Sequence, residues 1–173
     1  MESVFEILKL IIPAGAVFAT AYFLIRTFLN NENKRRDLEI RKSSLTIIAP
    51  IRLQAYERIV IFLERLHPNN LVLRVNKVGM TSHQLHAELI KAVKSEYEHN
   101  ISQQIYITHG AWELVKTAKE ETVKLINIST SKVPENAKSQ DLAGVILQIA
   151  ASVDKMPSQV ALEFLKKEIS QYY

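Results

Sequence analysis

Two histidines on one predicted helix have the best spacing for binding a metal ion together. His83 and His86 are three positions apart, so on a helix they lie on the same face. A zinc site needs a third ligand, which folding would have to bring from Glu88, Glu98 or His99. No complete ligand signature accompanies the pair. We therefore expect two solvated histidines near a helix N-terminus, and the sequence predicts no metal site.

A second group of titratable residues follows in the run SEYEHN, with Glu96, Glu98 and His99. Paired carboxylates act as acid and base only where geometry and burial adjust their pKa values. A charged helix end, stopped by Asn100, accounts for this run more simply. The chain also has no Walker loop, Gly-rich dinucleotide fingerprint, nucleophile elbow or His-Glu-x-x-His helix. We expect no catalytic residue, no cofactor and no enzymatic activity.

The elements that would position these residues are predicted to be helices. Four glycines and five prolines are too few for the many turns of an all-β fold, so the fold class is all-α. Apolar residues recur on one face from Tyr56 to Leu66, which predicts a central core helix, and Ile61 and Phe62 are expected to widen its apolar side. Pro50, just before it, is expected to mark a kink or a fresh start.

Capping residues mark the other helices. Thr81 and Gln84 have the spacing of a capping box, and Thr108 can cap the following helix. Ser139 is expected to cap a further helix, and Pro157 to begin the last one. Together with the central helix, these predict a small helical bundle of about four to six helices.

Some assignments are less direct. Leu71–Val75 is ambiguous between a short helix and a strand, and we favour the helix; Ile105–Ile107 stays open between the same two alternatives. On the last two helices, Val153 and Phe164 belong to the sides that we expect to be buried.

The charge distribution does not favour nucleic-acid binding, although the net charge is +4 and the pI is about 9.2. Residues 1–31 are neutral in sum, residues 32–42 carry +2, and residues 43–173 carry the other +2. The main domain is therefore nearly neutral, and we expect no nucleic-acid partner. The absence of cysteine excludes disulfides, thiolate chemistry, cysteine-ligated zinc and iron–sulfur clusters.

The N-terminal part contains a candidate membrane anchor. Leu10 to Ile25 reads LIIPAGAVFATAYFLI, sixteen residues without a charge, between Lys9 and Arg26. A helix of this length spans about 24 Å, and extension from residue 7 to residue 29 gives about 35 Å, enough for the ~30 Å hydrocarbon layer. We expect residues 1–29 to form a single transmembrane helix that contacts the lipid bilayer through Leu10 to Ile25.

Two alternatives to an anchor stay open. A cleaved signal peptide would use Ala19-Thr20-Ala21 as its cleavage site, but Glu2 and Glu6 stand where such a peptide is positively charged. A buried core helix would need more partners than a small domain offers to a helix that is apolar all round.

The orientation of the anchor follows from the lysines and arginines beside it. Six lie on its C-terminal side, namely Arg26, Lys34, Arg35, Arg36, Arg41 and Lys42, whereas its N-terminal side has only Lys9. The positive-inside rule then places the N-terminus outside the inner membrane and the C-terminal part in the cytoplasm. The expected organisation is the anchor at 1–29, a basic juxtamembrane helix at 30–49 that continues out of the bilayer, and a cytoplasmic helical domain at 50–173.

Several runs of the sequence resemble a known group of proteins. They are IRLQAYERIVIFLERLHPNNLVLRV, EYEHNISQQIYIT, AWELVKTAKEETVKLIN and MPSQVALEFLKKEI. In these runs the chain resembles an uncharacterised family of short, membrane-anchored proteins from Bacteroidota, over nearly its whole length. The resemblance implies the helical fold and the topology, and it implies no activity for any residue.

The function expected from these features is that of a membrane-anchored accessory or scaffold protein. Its helical domain would bind a membrane complex or recruit a cytoplasmic partner. The alternative is a membrane-tethered, metal-dependent enzyme that uses the region of His83, His86 and Glu98.

Overall fold

The computed structural model describes residues 2–171, with the side chains of residues 2–14, 41, 44 and 45 left out. Within this range the fold is all-α, as predicted, and its helices form a packed bundle. The six α-helices are α1 (Glu2–Leu66), α2 (Pro68–Val75), α3 (Ser82–Asn100), α4 (His109–Thr130), α5 (Ser139–Ser152) and α6 (Pro157–Ile169). A seventh, 3₁₀ helix covers Ile101–Ile105. By its contacts the chain divides into two units, residues 1–49 and 50–173, which we describe separately.

The N-terminal unit is part of α1. The juxtamembrane helix was expected to continue out of the anchor, and one helix does run through both ranges. The same helix continues past Pro50, so of the two alternatives expected at this proline, a kink or a fresh start, the fresh start is wrong. Proline removes one helical hydrogen bond, the one to the carbonyl of Thr46. Both residues are exposed, so water can hydrate this carbonyl and the helix can continue.

The predicted anchor falls partly outside the described side chains, because residues 10–14 of its uncharged run belong to the range left out. Over the part of the chain that is described, none of the helices has a stretch with the length and apolarity needed to cross a membrane.

The C-terminal part of α1 contributes buried side chains to the core of the second unit, as the apolar spacing predicted; its central place in the bundle stays a prediction. The fully buried large side chains of this core come from α1 to α6: Ile59, Phe62, Leu63, Leu66, Leu71, Leu85, Leu89, Val93, Ile126, Leu142, Ile146 and Leu165. Phe62 of α1, Tyr97 of α3 and Trp112 of α4 are in successive ring contact, with centroid distances of 6.2 and 5.6 Å. Aromatic contacts of this kind add to the stabilisation from burial.

Three residues expected on buried faces are exposed instead. Ile61 is 50% exposed, because it lies two positions, or about 200°, around the helix from the buried Ile59. Val153 follows the end of α5 and has left the helical face. Phe164 is 41% exposed and covers the start of α4, where its ring lies next to Gly110.

The predicted capping box at Thr81 and the predicted cap at Thr108 are confirmed, and α6 begins at Pro157 as expected. The cap predicted at Ser139 is wrong. The N-cap of α5 is Lys138, whose backbone N–H donates to the Asp141 carboxylate at 2.9 Å, while Ser139 is buried as the first helical residue.

The two ambiguous segments are both free of strand. Leu71–Val75 belongs to α2, which agrees with the favoured prediction. Ile105 ends the 3₁₀ helix, and Ile107 lies in the bend before α4.

Candidate functional site

A surface groove between the end of α2 and the first half of α3 is the main candidate site. It has a volume of about 710 Å³. Basic side chains on its walls are Arg74, Lys77, His83 and Lys91, and its apolar lining includes Val75, Met80, Ala87 and Ala92. Glu88 is the one acidic residue among the described lining residues.

The backbone around this groove is fixed by local interactions. A turn at residues 77–80 closes with a hydrogen bond from the Met80 amide to the Lys77 carbonyl, and Gly79 has φ +89°, which favours glycine. The strand-like segment after the turn exchanges backbone hydrogen bonds with the start of α5. The backbone N–H of Ser82 donates to the Ala137 carbonyl at 3.0 Å, and the backbone N–H of Ser139 donates to the Met80 carbonyl at 3.1 Å. One wall of the groove is therefore held against α5.

The capping box then sets where α3 begins. The backbone N–H of Gln84 donates to Thr81 Oγ1 at 3.2 Å, and the backbone N–H of Thr81 donates to Gln84 Oε1 at 3.0 Å. This reciprocal pair satisfies two backbone donors that would otherwise lack partners. It fixes His83, Glu88 and Lys91 at defined positions along one helix.

Glu96 lies beyond the groove and holds two arginines. Its Oε1 atom is 2.7 Å from the Arg65 guanidinium and 3.4 Å from that of Arg74. Partial burial lowers the pKa of Arg74, nearby Arg65 lowers it further, and Glu96 opposes both effects. Glu96 thus bridges α1, α2 and α3 by ion pairs.

Glu96, Glu98 and His99 line one open surface groove together with Arg65 and Ser95, but among the described residues no hydrogen bond or ion pair joins the three to one another. The ring Nε2 of His99 is 3.5 Å from a guanidinium nitrogen of Arg58, on α1. Glu98 lines a shallow surface groove that also includes Tyr97 and Lys119. The run SEYEHN is therefore a charged helix end that contacts α1 and α4.

The residues of the alternative metal site are separated by the helix that carries them. His83 lines the groove, whereas His86 Nε2 is 2.8 Å from the side-chain oxygen of Asn127, on α4. Glu98 is twelve residues beyond His86 on the same helix, which places it roughly 18 Å along the axis. The three side chains cannot bind one ion. Across the described residues, no group of three potential ligands converges.

A buried polar cluster was not predicted from the sequence. The Tyr56 hydroxyl donates to Glu168 Oε1 at 2.7 Å, and the Thr108 hydroxyl donates to Glu168 Oε2 at 3.0 Å. Glu168 is 9% exposed. Burial is the main cause that raises the pKa of Tyr56 to about 12, and the hydrogen bond to Glu168 adds to it. Arg52, one turn before Tyr56, donates to the Tyr106 carbonyl at 3.1 Å.

This cluster joins α1, the N-cap of α4 and α6. Thr108 was predicted as a cap, and its hydroxyl also accepts from the Ala111 amide at 3.2 Å, so it fills both roles. Tyr56 was assigned to the apolar face, and Glu168 was not singled out. The one available signal was an acidic residue at the buried spacing of α6, three positions after Leu165.

Comparison with known proteins gives one family. Neither a curated protein nor a solved structure matches the chain. A family model described as a family of unknown function (DUF7935) matches residues 2–172, nearly the whole chain, and the protein belongs to this family.

Proposed function

We propose that the protein is a membrane-anchored accessory or scaffold subunit. In this proposal an N-terminal helix holds the domain at residues 50–173 against the inner face of the bacterial inner membrane. There the domain binds a membrane complex or recruits a cytoplasmic partner. Membrane anchoring goes beyond what family membership establishes.

The observation that carries the proposal is the uncharged run from Leu10 to Ile25. In its described part, large apolar side chains are exposed within their unit: Phe18 is 74% exposed and Phe23 70%. Each square ångström of apolar surface removed from water contributes about 25 cal/mol. A helix that presents aromatic side chains in this way gains free energy by entering hydrocarbon.

The charges beside the run support the orientation. Arg26 and the cluster Lys34-Arg35-Arg36 follow it, and all four are exposed. Arg35 and Arg36 form helical ion pairs with Glu39 and Glu32. Basic residues near a span are retained on the cytoplasmic side. The proposed topology therefore has its N-terminus outside and its helical domain inside.

The partner is tested by crosslinking in intact membranes. The full chain with a C-terminal tag is crosslinked, extracted with a mild detergent, purified and analysed by mass spectrometry. We expect one other protein in stoichiometric amount. Recovery of the chain alone, or only with copies of itself, would contradict an accessory role.

A further inference from the structure

The geometry of the groove between α2 and α3 points to a partner of a defined kind, and we propose that it binds an acidic peptide segment of another protein. The segment would place carboxylates on the basic walls and an apolar side chain on the floor. This inference rests on the proposed function, because it specifies the chemistry of the partner that an accessory protein would hold.

The first support is the concentration of positive charge. Among the residues that the structure describes, the lining of the groove has three lysine or arginine residues, Arg74, Lys77 and Lys91, and one acidic residue, Glu88, a net charge of +2. Residues 43–173 as a whole also carry +2, so the rest of the domain is neutral in sum. An acidic ligand is therefore attracted to this groove more than to the other surfaces of the domain.

The second support is that two of these cations are available to a ligand. Lys77 is exposed, and no ion pair with it occurs among the described residues. Lys91 Nζ is 3.9 Å from Glu88, with 77% of its side chain exposed, and an ion pair this long and exposed contributes little. Arg74 is already paired with Glu96, which offsets its charge, so the two lysines are the cations that a ligand would meet.

The third support is the apolar surface in the same place. Val75, Met80 and Ala92 line the groove and are each half-buried. Beside them, Val78 is fully exposed at the turn and Leu73 is 78% exposed on α2. Apolar residues among cations are suited to a ligand that alternates carboxylates with apolar side chains.

The shape of the site favours a peptide over the two other anionic partners. A flat bilayer surface cannot enter a groove, whereas a volume of about 710 Å³ accommodates a few side chains. Nucleic acid binds along an extended track of cations, but residues 96–130 contain five acidic and three basic residues. The segment that follows the groove along the chain is therefore acidic in sum, and it does not continue a track of cations.

The test is a selection of peptides on the full chain, purified in a mild uncharged detergent. A display library of random 12-residue peptides is selected, and the best peptide is labelled for anisotropy measurements. We expect selected peptides to be enriched in Asp and Glu around one large apolar residue. Selection without acidic enrichment would overturn the proposal.

Two charge-reversed variants locate the binding. The double variant Lys77→Glu with Lys91→Glu should lower the affinity for the selected peptide at least tenfold. Lys166→Glu with Lys167→Glu makes the same charge change in the last turn of α6, at exposed positions, and should change the affinity less than twofold. Equal weakening by both pairs would overturn the proposal. Circular dichroism checks that both fold, and Lys77→Ala with Lys91→Ala should give an intermediate loss.

Competition separates the other anionic partners. If vesicles of phosphatidylglycerol or a 20-nucleotide single strand displace the peptide at lower concentration than the unlabelled peptide does, the groove is a lipid or nucleic-acid site and the proposal is overturned. Peptide binding by purified protein does not depend on cellular location. If the peptide does not bind, the proposal of membrane anchoring is unaffected. If the protein is not anchored, the peptide-binding result is unaffected.

Discussion

The hydroxyl of Tyr56 and the carboxyl of Glu168 are joined by a hydrogen bond of 2.7 Å, although the two residues are 112 positions apart in the chain. Thr108 occupies the other carboxyl oxygen, so one buried side chain links the N-cap of α4 to α1 and α6. Removing one partner of a buried hydrogen bond leaves the other without compensation for its lost hydration. The stability of the domain should therefore depend on this contact.

We expect Tyr56→Phe to lower the free energy of unfolding by about 1.5–3 kcal/mol, because it removes the hydroxyl that donates to a buried carboxyl and that also interacts with Arg52. Urea unfolding of the full chain in detergent, followed by circular dichroism, measures the change. Tyr106→Phe is the matched control, since the hydrogen bonds of Tyr106 in the described structure use its backbone N–H and carbonyl and not its hydroxyl. An equal effect of both variants would show that the contact is unimportant.

The same tyrosine should give a dependence on alkaline pH. Its pKa in the folded protein, about 12, lies above the ordinary value of 10.0, so the folded state keeps a proton that the unfolded state loses. The stabilisation is complete below pH 10 and is lost as the pH rises from 10 to 12. The difference in unfolding free energy between wild type and Tyr56→Phe should shrink over that interval. If the difference in unfolding free energy stayed constant between pH 10 and 12, the pKa of Tyr56 would not be raised by folding.

Local interactions of this fold were predictable, and distant ones were not. The capping box at Thr81 and Gln84 spans four residues, so its spacing alone identifies it. The contact between Tyr56 and Glu168 depends on how α1 and α6 pack, which no local pattern encodes. The groove was missed for the same reason, because its cations come from two helices and a turn.

Periodicity located the helices but was less exact about their edges and faces. Ile61 was placed on the buried side because its neighbours Ile59 and Phe62 are apolar, yet the core covers only the narrower arc that contains those two. At Pro50, where a kink or a fresh start was expected, the fresh start is absent because the exposed helix loses one hydrogen bond there and continues.

Gly79 and Gly144 should respond in opposite directions to alanine. Neither has an atom near the position of an added Cβ, but Gly79 has φ +89° and Gly144 is inside α5. Gly79→Ala should destabilise by about 1–2 kcal/mol through backbone strain. Gly144→Ala should stabilise by about 0.5–1 kcal/mol, because glycine is a poor helix former. Thermal unfolding of both variants measures this, and a stabilising Gly79→Ala would contradict the turn conformation.

Glu96→Gln should lower the free energy of unfolding by about 0.5–1 kcal/mol, because the carboxylate pairs with Arg65 and Arg74 at a partly exposed site. The loss should be smaller in 1 M salt, since screening weakens these pairs already in the wild type. Glu98→Gln is the control two residues away and should change stability by less than about 0.5 kcal/mol. If the loss at Glu96 were independent of salt, the ion pairs would not be its cause.

The central claim is membrane anchoring, and carbonate extraction of bacterial membranes tests it most directly. Three tagged full-length proteins are compared: wild type, Phe18→Arg with Phe23→Arg inside the uncharged run, and Leu38→Arg with Ile47→Arg at exposed positions after it. Each arginine near the centre of a span costs about 2.5–3.5 kcal/mol on insertion. Wild type and the second pair should stay in the membrane pellet, and the first pair should move to the supernatant. Wild-type protein in the supernatant would contradict the account.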